Sequence, residues 1–237
     1  MINKIFKGFL QVILALSLVI VVGCTGLNNS SNADQVQDPK LSQAVDSAYS
    51  KLPTLNGSAT VEMKLSYGTV TIEVDGKNAP ITAGNFVDLA KRGVYNNLTF
   101  HRVIREPSPF VAQGGDPLGN GTGGFIDPAT AQARNIPLEI TIAKDSKPQY
   151  SRILKSDEIA QLRHTRGAVA MARSQAPDSA SSQFYIALAD VNFLDGSYAV
   201  FGYVTNGMDV VDKIKLGDRI LSMTVTKGVE NLKVPAR

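Results

Sequence analysis

The sequence has no tryptophan, two histidines and a single cysteine at position 24. With no partner for Cys24 no internal disulfide can form, so the fold has to be held by burial of apolar surface. The two histidines, His101 and His164, have no cysteine near them and make a poor metal set, so no metal or other cofactor is expected. There is no GK[ST] for a phosphate loop and no G-x-S-x-G around Ser181-Ser182, which argues against nucleotide hydrolysis and serine hydrolase chemistry. Charge of either sign is not in excess. In 237 residues, 24 basic and 21 acidic side chains give +3, with Lys4 and Lys7 supplying two of the positives, and that balance gives no reason to expect nucleic acid.

The apolar run Val12 to Val22 is too short to cross a bilayer comfortably, yet it follows Lys4 and Lys7 in a stretch without an acid, the pattern of a secretory signal over residues 1–23. The end of that run, Val21-Val22-Gly23-Cys24, resembles a bacterial lipobox, in which the cysteine becomes the lipid-modified first residue. The expectation is an exported protein, attached through lipid on Cys24 to a bacterial membrane on its extracytoplasmic or periplasmic side. An uncleaved anchor and a plain secretory signal with a chance cysteine are the alternatives. Residues 24–58, rich in Asn, Ser, Asp and Gln, read as a flexible tether with a short helix near Leu41 to Tyr49. Such a tether reaches roughly 30–35 Å.

The folded domain is expected over residues 59–237. Val61, Met63 and Leu65 alternate with polar residues, and Val70, Ile72 and Val74 do so again after Tyr67-Gly68, which predicts a hairpin. Phe86, Leu89 and Ala90 fall at helical spacing between Pro80 and Gly93. Further strands are expected at Leu98 to Ile104, Phe110 to Gln113, Ala168 to Ala172, Gln183 to Leu188, Ala199 to Val204 and Ile220 to Val225, with a second helix over Met208 to Ile214. Residues 114–128 are loop; Gly119, Gly121 and Gly124 match G-x-G-x-x-G, but Pro117 and Pro128 flank them where a dinucleotide site needs a strand and a helix. Residues 129–163 read as an insertion with an apolar stretch at Leu138 to Ile142 and a helical patch around Asp157 to Leu162. Many strands, few helices and no βαβ order point to a barrel or sandwich.

One stretch carries the chemistry. FHRVIREPSPFVAQGGD, residues 100–116, sets Arg102 and Gln113 among apolar and aromatic residues with no nucleophile nearby. Together with AGNFVDLAKRGVYNNLTFHRVI, FVAQGGDPLGNGTGG, HTRGAVAMAR, SSQFYIAL, FLDGSYAVFGYV and GMDVVDKI, it resembles the cyclophilin-type peptidyl-prolyl isomerases from about Val61 to Thr226. The resemblance implies a mainly β fold, a closed eight-stranded antiparallel barrel capped by two helices. It implies a monomer that acts on proline-containing peptides and on folding exported proteins.

The physics of that reaction suits the residues. A peptide bond resists rotation by roughly 18–20 kcal/mol because the nitrogen lone pair is delocalised. Before proline the two isomers are close in energy but interconvert slowly. Only groups that bind the twisted amide better than either planar form can help, and a guanidinium donating to the pyramidal nitrogen does so. The resemblance therefore implies Arg102, Gln113 and Phe110 as the catalytic set. It implies Val111, Tyr185 and Leu194, with Phe193 beside them, as the proline pocket. Ala172, Arg173, Ser174 and Gln183 match the strip along the substrate backbone, and His101 and Tyr198 line the same groove. Without the family match, Phe110, Tyr185 and Leu194 would read as barrel core. The alternative function is a chaperone or assembly module that holds proline segments without turnover. VIREPSP, three residues longer than the family's compact form, Phe193 in place of a tryptophan and Tyr198 in place of a histidine depart from the commoner pattern.

Overall fold

The computed structural model describes residues 49–235; the signal at 1–23, Cys24, most of the tether and the helix expected near Leu41 lie outside the described residues. Eight strands form one antiparallel sheet: β1 (Ser58–Leu65), β2 (Gly68–Asp75), β3 (Arg102–Ile104), β4 (Val111–Gly114), β5 (Ala168–Met171), β6 (Phe184–Ala187), β7 (Val200–Asn206) and β8 (Ser222–Lys227). Their order across the sheet is β8-β1-β2-β7-β5-β6-β4-β3. Among the described residues two α-helices accompany it, α1 (Pro80–Lys91) and the single turn α2 (Met208–Val211).

The alternation seen in the sequence becomes two faces. Val61, Met63, Val70, Ile72, Val169, Met171, Phe184, Ile186 and Phe201 point into one core with α1. Val111, Ala168, Ala170, Tyr185, Ala187 and Val200 form a second, smaller cluster on the other face. Because side chains on a strand alternate, β5 and β6 serve both sides at once. In the larger core Phe86 of α1 lies 5.4 Å from Phe184, 4.8 Å from Phe201 and 5.3 Å from Tyr95 between ring centroids.

The sheet curls but does not close, which corrects the expected barrel. The strand expected over Leu98 to Ile104 is broken at His101. Residues on its near side bond to the chain before β8, through Asn97 N–H to Ile220 O at 2.7 Å and Phe100 N–H to Asp218 O at 2.9 Å. Residues 102–104 pair only with β4. No single strand therefore carries the ladder across the seam, and the result is a half-barrel whose edge strands are β3 and β8.

Helix α1 is enclosed on nearly every side, residues 81–90 all being buried. Outside it lies the chain before β1, where Thr54–Leu55 pair with Leu232–Lys233 and Leu55 is fully buried. Residues 49–58, assigned to the tether from composition, thus pack on the domain. Gly84 permits this approach, since a Cβ there would lie 2.4 Å from Thr54 Cα.

The insertion covers the start of the helix. It forms a short pair, Glu139–Thr141 with Pro148–Tyr150, and the patch expected to be helical around Asp157 to Leu162 is instead irregular, bridging Ile142 to Ala160. Backbone bonds from Ala143 to Ile159 O and from Gln161 to Thr141 O draw that patch into an extended pairing, which overrides its local propensity. Pro80 opens α1 and its N-cap, Ala79, has no side-chain acceptor. The buried Glu139 supplies one: its carboxylate accepts Ile81 N–H at 3.0 Å and Thr82 N–H at 2.7 Å. Burial raises the Glu139 pKa, although both N–H bonds oppose the rise. On the other flank Arg134 donates to Asp88 Oδ2 at 2.7 Å and lies 4.6 Å over the Phe125 ring.

Replacing Glu139 by alanine leaves two buried helix N–H groups without an acceptor and is expected to cost about 2–4 kcal/mol, with Glu139→Gln recovering part. Urea unfolding of the three proteins measures this; an alanine variant as stable as the parent would show that the cap contributes nothing.

Candidate functional site

Register places the central pair. Arg102 on β3 is the direct partner of Gln113 on β4, so both side chains leave the sheet on the face away from α1. Arg102 Nη1 donates to Gln113 Oε1 at 3.0 Å, and its guanidinium carbon stands 5.6 Å from the centre of the Phe110 ring. Gln113 Nε2 donates in turn to Gln183 Oε1 at 3.0 Å, and Gln183 Nε2 to Gly123 O at 2.8 Å and Gly121 O at 3.1 Å. This chain fixes which way each amide faces and leaves Gln113 a second N–H.

These groups edge a groove of about 500 Å³. Val111 and Tyr185 lie on neighbouring strands at its base, with Phe110, Leu194 and Tyr198 around them and His101, Ala172 and Arg173 completing the rim. Ser174 and Gln183 do not line this groove. They line a smaller hollow of about 220 Å³ beside it, which shares Gln113, Gly121, Ala172 and Arg173. Phe193 is 75% exposed and stands outside, stacked on Phe110 at 5.8 Å and 16°.

The long loop after β3 leaves the groove undisturbed. Phe110 N–H returns to Ile104 O at 3.0 Å, so the extra residues form an outward loop. Arg105 turns the other way and donates to Val211 O at 3.1 Å, the last residue of α2, and to Ile214 O at 3.0 Å just after it.

Asn120 and Gly121 also line the groove, and sequence reading passed them over as turn residues. Their loop is gathered by Asp116, whose carboxylate accepts N–H bonds from Leu118, Asn120 and Gly121. Burial alone would raise the Asp116 pKa, but these bonds and one from Gly123 outweigh it and hold it below its ordinary value. Arg173 folds back from the rim, donating twice to Ser197 O and lying 4.8 Å over the Tyr198 ring.

A second omission lies under the floor. His164, fully buried, reaches Asp195 Oδ1 through Nδ1 at 2.8 Å and the Tyr185 hydroxyl through Nε2 at 2.9 Å. A carboxylate only accepts, so Nδ1 carries the proton and the Tyr185 hydroxyl donates to Nε2. Burial lowers the His164 pKa from 6.5 despite the opposing bond and charge of Asp195, and burial likewise raises that of Tyr185. No spacing in the sequence links positions 164, 185 and 195.

Among the described residues no cluster of His, Cys, Asp or Glu could hold a metal ion, and no helix is long and apolar enough to cross a membrane. The half-barrel, the two helices and a cation beside an apolar groove define a cyclophilin-like protein. The family model "Cyclophilin type peptidyl-prolyl cis-trans isomerase/CLD" matches residues 60–233, and the chain belongs to that family.

It is 42% identical over 202 residues to a putative thylakoid lumen peptidyl-prolyl cis-trans isomerase of Synechocystis, covering 80% of this chain and 52% of the relative. It is 38% identical over 213 residues to a chloroplastic peptidyl-prolyl cis-trans isomerase of Arabidopsis thaliana, covering 81% of this chain and 48% of the relative. The chain thus spans about half the length of these two curated relatives. A peptidyl-prolyl cis-trans isomerase of Acinetobacter baylyi is 42% identical over 159 residues, which cover 65% of this chain and 70% of that one. Among solved structures, a Cryptosporidium parvum cyclophilin shares the fold with a TM-score of 0.55 at 23% identity, over 72% of this chain and 98% of its own.

The lowered His164 pKa has a sign that can be tested. Above pH 6.5 both folded and unfolded chains hold it neutral; as pH falls through that value the unfolded chain takes up a proton that the folded chain still refuses. Stability from this residue is full above 6.5 and declines below it until the folded pKa is reached. Thermal unfolding from pH 7.5 to 5 should show the decline, and His164→Asn should remove that component of the pH dependence; an unchanged profile would contradict the assignment.

Proposed function

We propose that this protein accelerates cis–trans rotation about X-Pro bonds, and that its substrates are proline-containing segments of exported proteins. The observation that carries the reading is Arg102, held by Gln113 at the lip of an apolar groove lined by Phe110, Val111, Tyr185 and Leu194. A proline ring on those apolar groups leaves its nitrogen toward the guanidinium. Arg102 has five N–H donors and Gln113 takes one, so others remain for the nitrogen lone pair as the bond twists. In either planar isomer that lone pair is delocalised and the interaction is weak, so the gain belongs to the transition state.

Gln113 offers its remaining N–H to the substrate carbonyl, while Ala172 and Arg173 border the path of the chain. Ser174 and Gln183 contact residues to one side of the proline through the smaller hollow, and His101 and Tyr198 close the ends of the groove. Phe193, outside it, extends the apolar surface of Phe110. No bond is made or broken, so the rotation needs no cofactor. Each 1.4 kcal/mol or so of preference for the twisted amide gives about a tenfold rate.

The address is part of the proposal. The basic, apolar start and Val21-Val22-Gly23-Cys24 support export and a lipid anchor on Cys24 that holds a monomeric domain outside the cytoplasm. Relatives named for the thylakoid lumen and the chloroplast are in keeping with an extracytoplasmic place.

Exchange NMR on a proline tetrapeptide tests the catalytic assignment. The parent protein should broaden the exchanging lines; Arg102→Ala should lose about 100-fold in kcat/KM, and Arg102→Lys should recover only part because a point charge replaces the planar fork. Full activity in Arg102→Ala, or saturable binding by the parent with no accelerated exchange, would overturn it, the latter in favour of a module that holds proline segments.

A further inference from the structure

Leu194 and Tyr198, two walls of the groove, are the ends of one short arch, with Gly196 at its crown. Ser197 N–H bonds to Leu194 O at 3.0 Å and Asp195 N–H to Asn192 O at 3.0 Å, so the arch is a run of turns with no strand partner along it. Support comes from behind. Leu154, in the insertion, donates its N–H to Gly196 O at 2.9 Å. Its side chain packs with Leu138, Ile140, Ala160 and Ala199, the last of these being the residue after Tyr198.

The fit at the crown is close. Gly196 is buried and has a φ of +78°, and a Cβ on it would lie 2.9 Å from Leu154 Cβ. Leu154 itself is held in place, because Arg152 donates to both carboxylate oxygens of Glu158, at 2.6 and 2.9 Å, and Glu158 also accepts Lys155 N–H at 2.7 Å. Farther along the same insertion Arg163 pairs with Asp195, and His164 N–H bonds to Asp195 Oδ1 at 2.7 Å. The arch is thus gripped at its crown by residue 154 and at Asp195 by residues 163 and 164.

From this arrangement we infer that Leu154 is a positioning residue for substrate binding: the insertion acts as a buttress that sets the distance of Leu194 and Tyr198 from the floor of the groove. The inference rests on the proposed peptide-binding role of that groove. Leu154 touches no substrate. It acts through Gly196 and Ala199: truncating it beyond Cβ keeps the N–H bond to Gly196 O but removes the apolar packing behind the arch, which lets the arch relax backward and widens the apolar pocket without moving Arg102, which stands on β3.

The test compares the parent with Leu154→Ala, the milder Leu154→Val, and Ile153→Ala as an exposed neighbouring control. For each, KM and kcat on a proline tetrapeptide are measured together with the Kd of the same peptide by NMR titration and the thermal midpoint. The expected result for Leu154→Ala is a KM and Kd raised about three- to tenfold, at most one tenfold step in affinity, with kcat within about twofold of the parent. Leu154→Val should fall between, and Ile153→Ala should match the parent.

A residue that only stabilised the fold would lower the active fraction, reducing kcat per total protein while leaving KM and Kd unchanged; that pattern overturns the inference, as do parental values in both Leu154 variants. If the parent binds the peptide without accelerating its isomerisation, the catalytic proposal of the preceding subsection fails, and the Kd series still decides whether Leu154 positions the arch.

Discussion

The hydrogen bond between Arg102 and Gln113 is the constraint on which the site depends. An arginine beside an apolar surface would ordinarily extend into water, where it gains most solvation. Here strand register puts Gln113 directly across from it, and the amide oxygen takes one of its donors. The glutamine cannot swing away, because its own nitrogen is engaged by Gln183 and that residue by two glycine-loop carbonyls. The cation is thus aimed without being buried, so the resting protein avoids most of the desolvation penalty of an enclosed charge. On the proposed function, a bound proline would exclude water from one side of it and strengthen its electrostatic action where the nitrogen turns pyramidal.

Part of the sheet that carries this pair was legible in the sequence, because strand alternation has a period of two and its consequences are local, whereas Arg102 and Gln113 themselves were marked by the family resemblance. Val61, Met63 and Leu65, then Val70, Ile72 and Val74, gave the first hairpin directly, and Phe184 and Ile186 against Tyr185 and Ala187 divide the two faces of β6 in the same way. What was not legible is non-local. Closure of the sheet depended on whether Leu98 to Ile104 ran as one strand, and the break at His101 follows from which carbonyls the opposite chain segment offers. The role of His164 needed residues 185 and 195 to be brought together by folding. Composition also misplaced the start of the domain: a polar stretch can still contribute buried side chains, Pro53 and Leu55, and a two-residue pairing with Leu232–Lys233.

The histidine beneath the floor shows how a polar group can serve an apolar pocket. Tyr185 presents its ring to the groove, edge-on to Tyr198 at 6.1 Å and 81°, while its hydroxyl would be costly to bury alone. Neutral His164 accepts a hydrogen bond from that hydroxyl at Nε2 and donates its Nδ1–H to Asp195, a residue of the arch that carries Leu194. Orientation of the ring and position of the arch are therefore set by one chain of hydrogen bonds, and the polar ends of Tyr185, His164 and Asp195 are all satisfied away from the groove.

The insertion at 129–163 looked, from sequence, like an addition without a task, and its structure makes it a strut between the two halves of the molecule. Glu139 ends on the first N–H groups of α1, Arg134 on Asp88 in the last turn of that helix, and Leu154 and Arg163 on the arch. Helix α1 packs against the closed core and the arch against the open groove, so one segment of chain bears on both faces of the same sheet. At the seam of the half-barrel the segments around residues 98–100 and 217–220 hydrogen-bond to each other, but no strand of the sheet continues across it. The insertion adds contacts from outside the sheet, and because it reaches the groove from behind, the proposed buttress leaves the mouth free for the proposed peptide substrate.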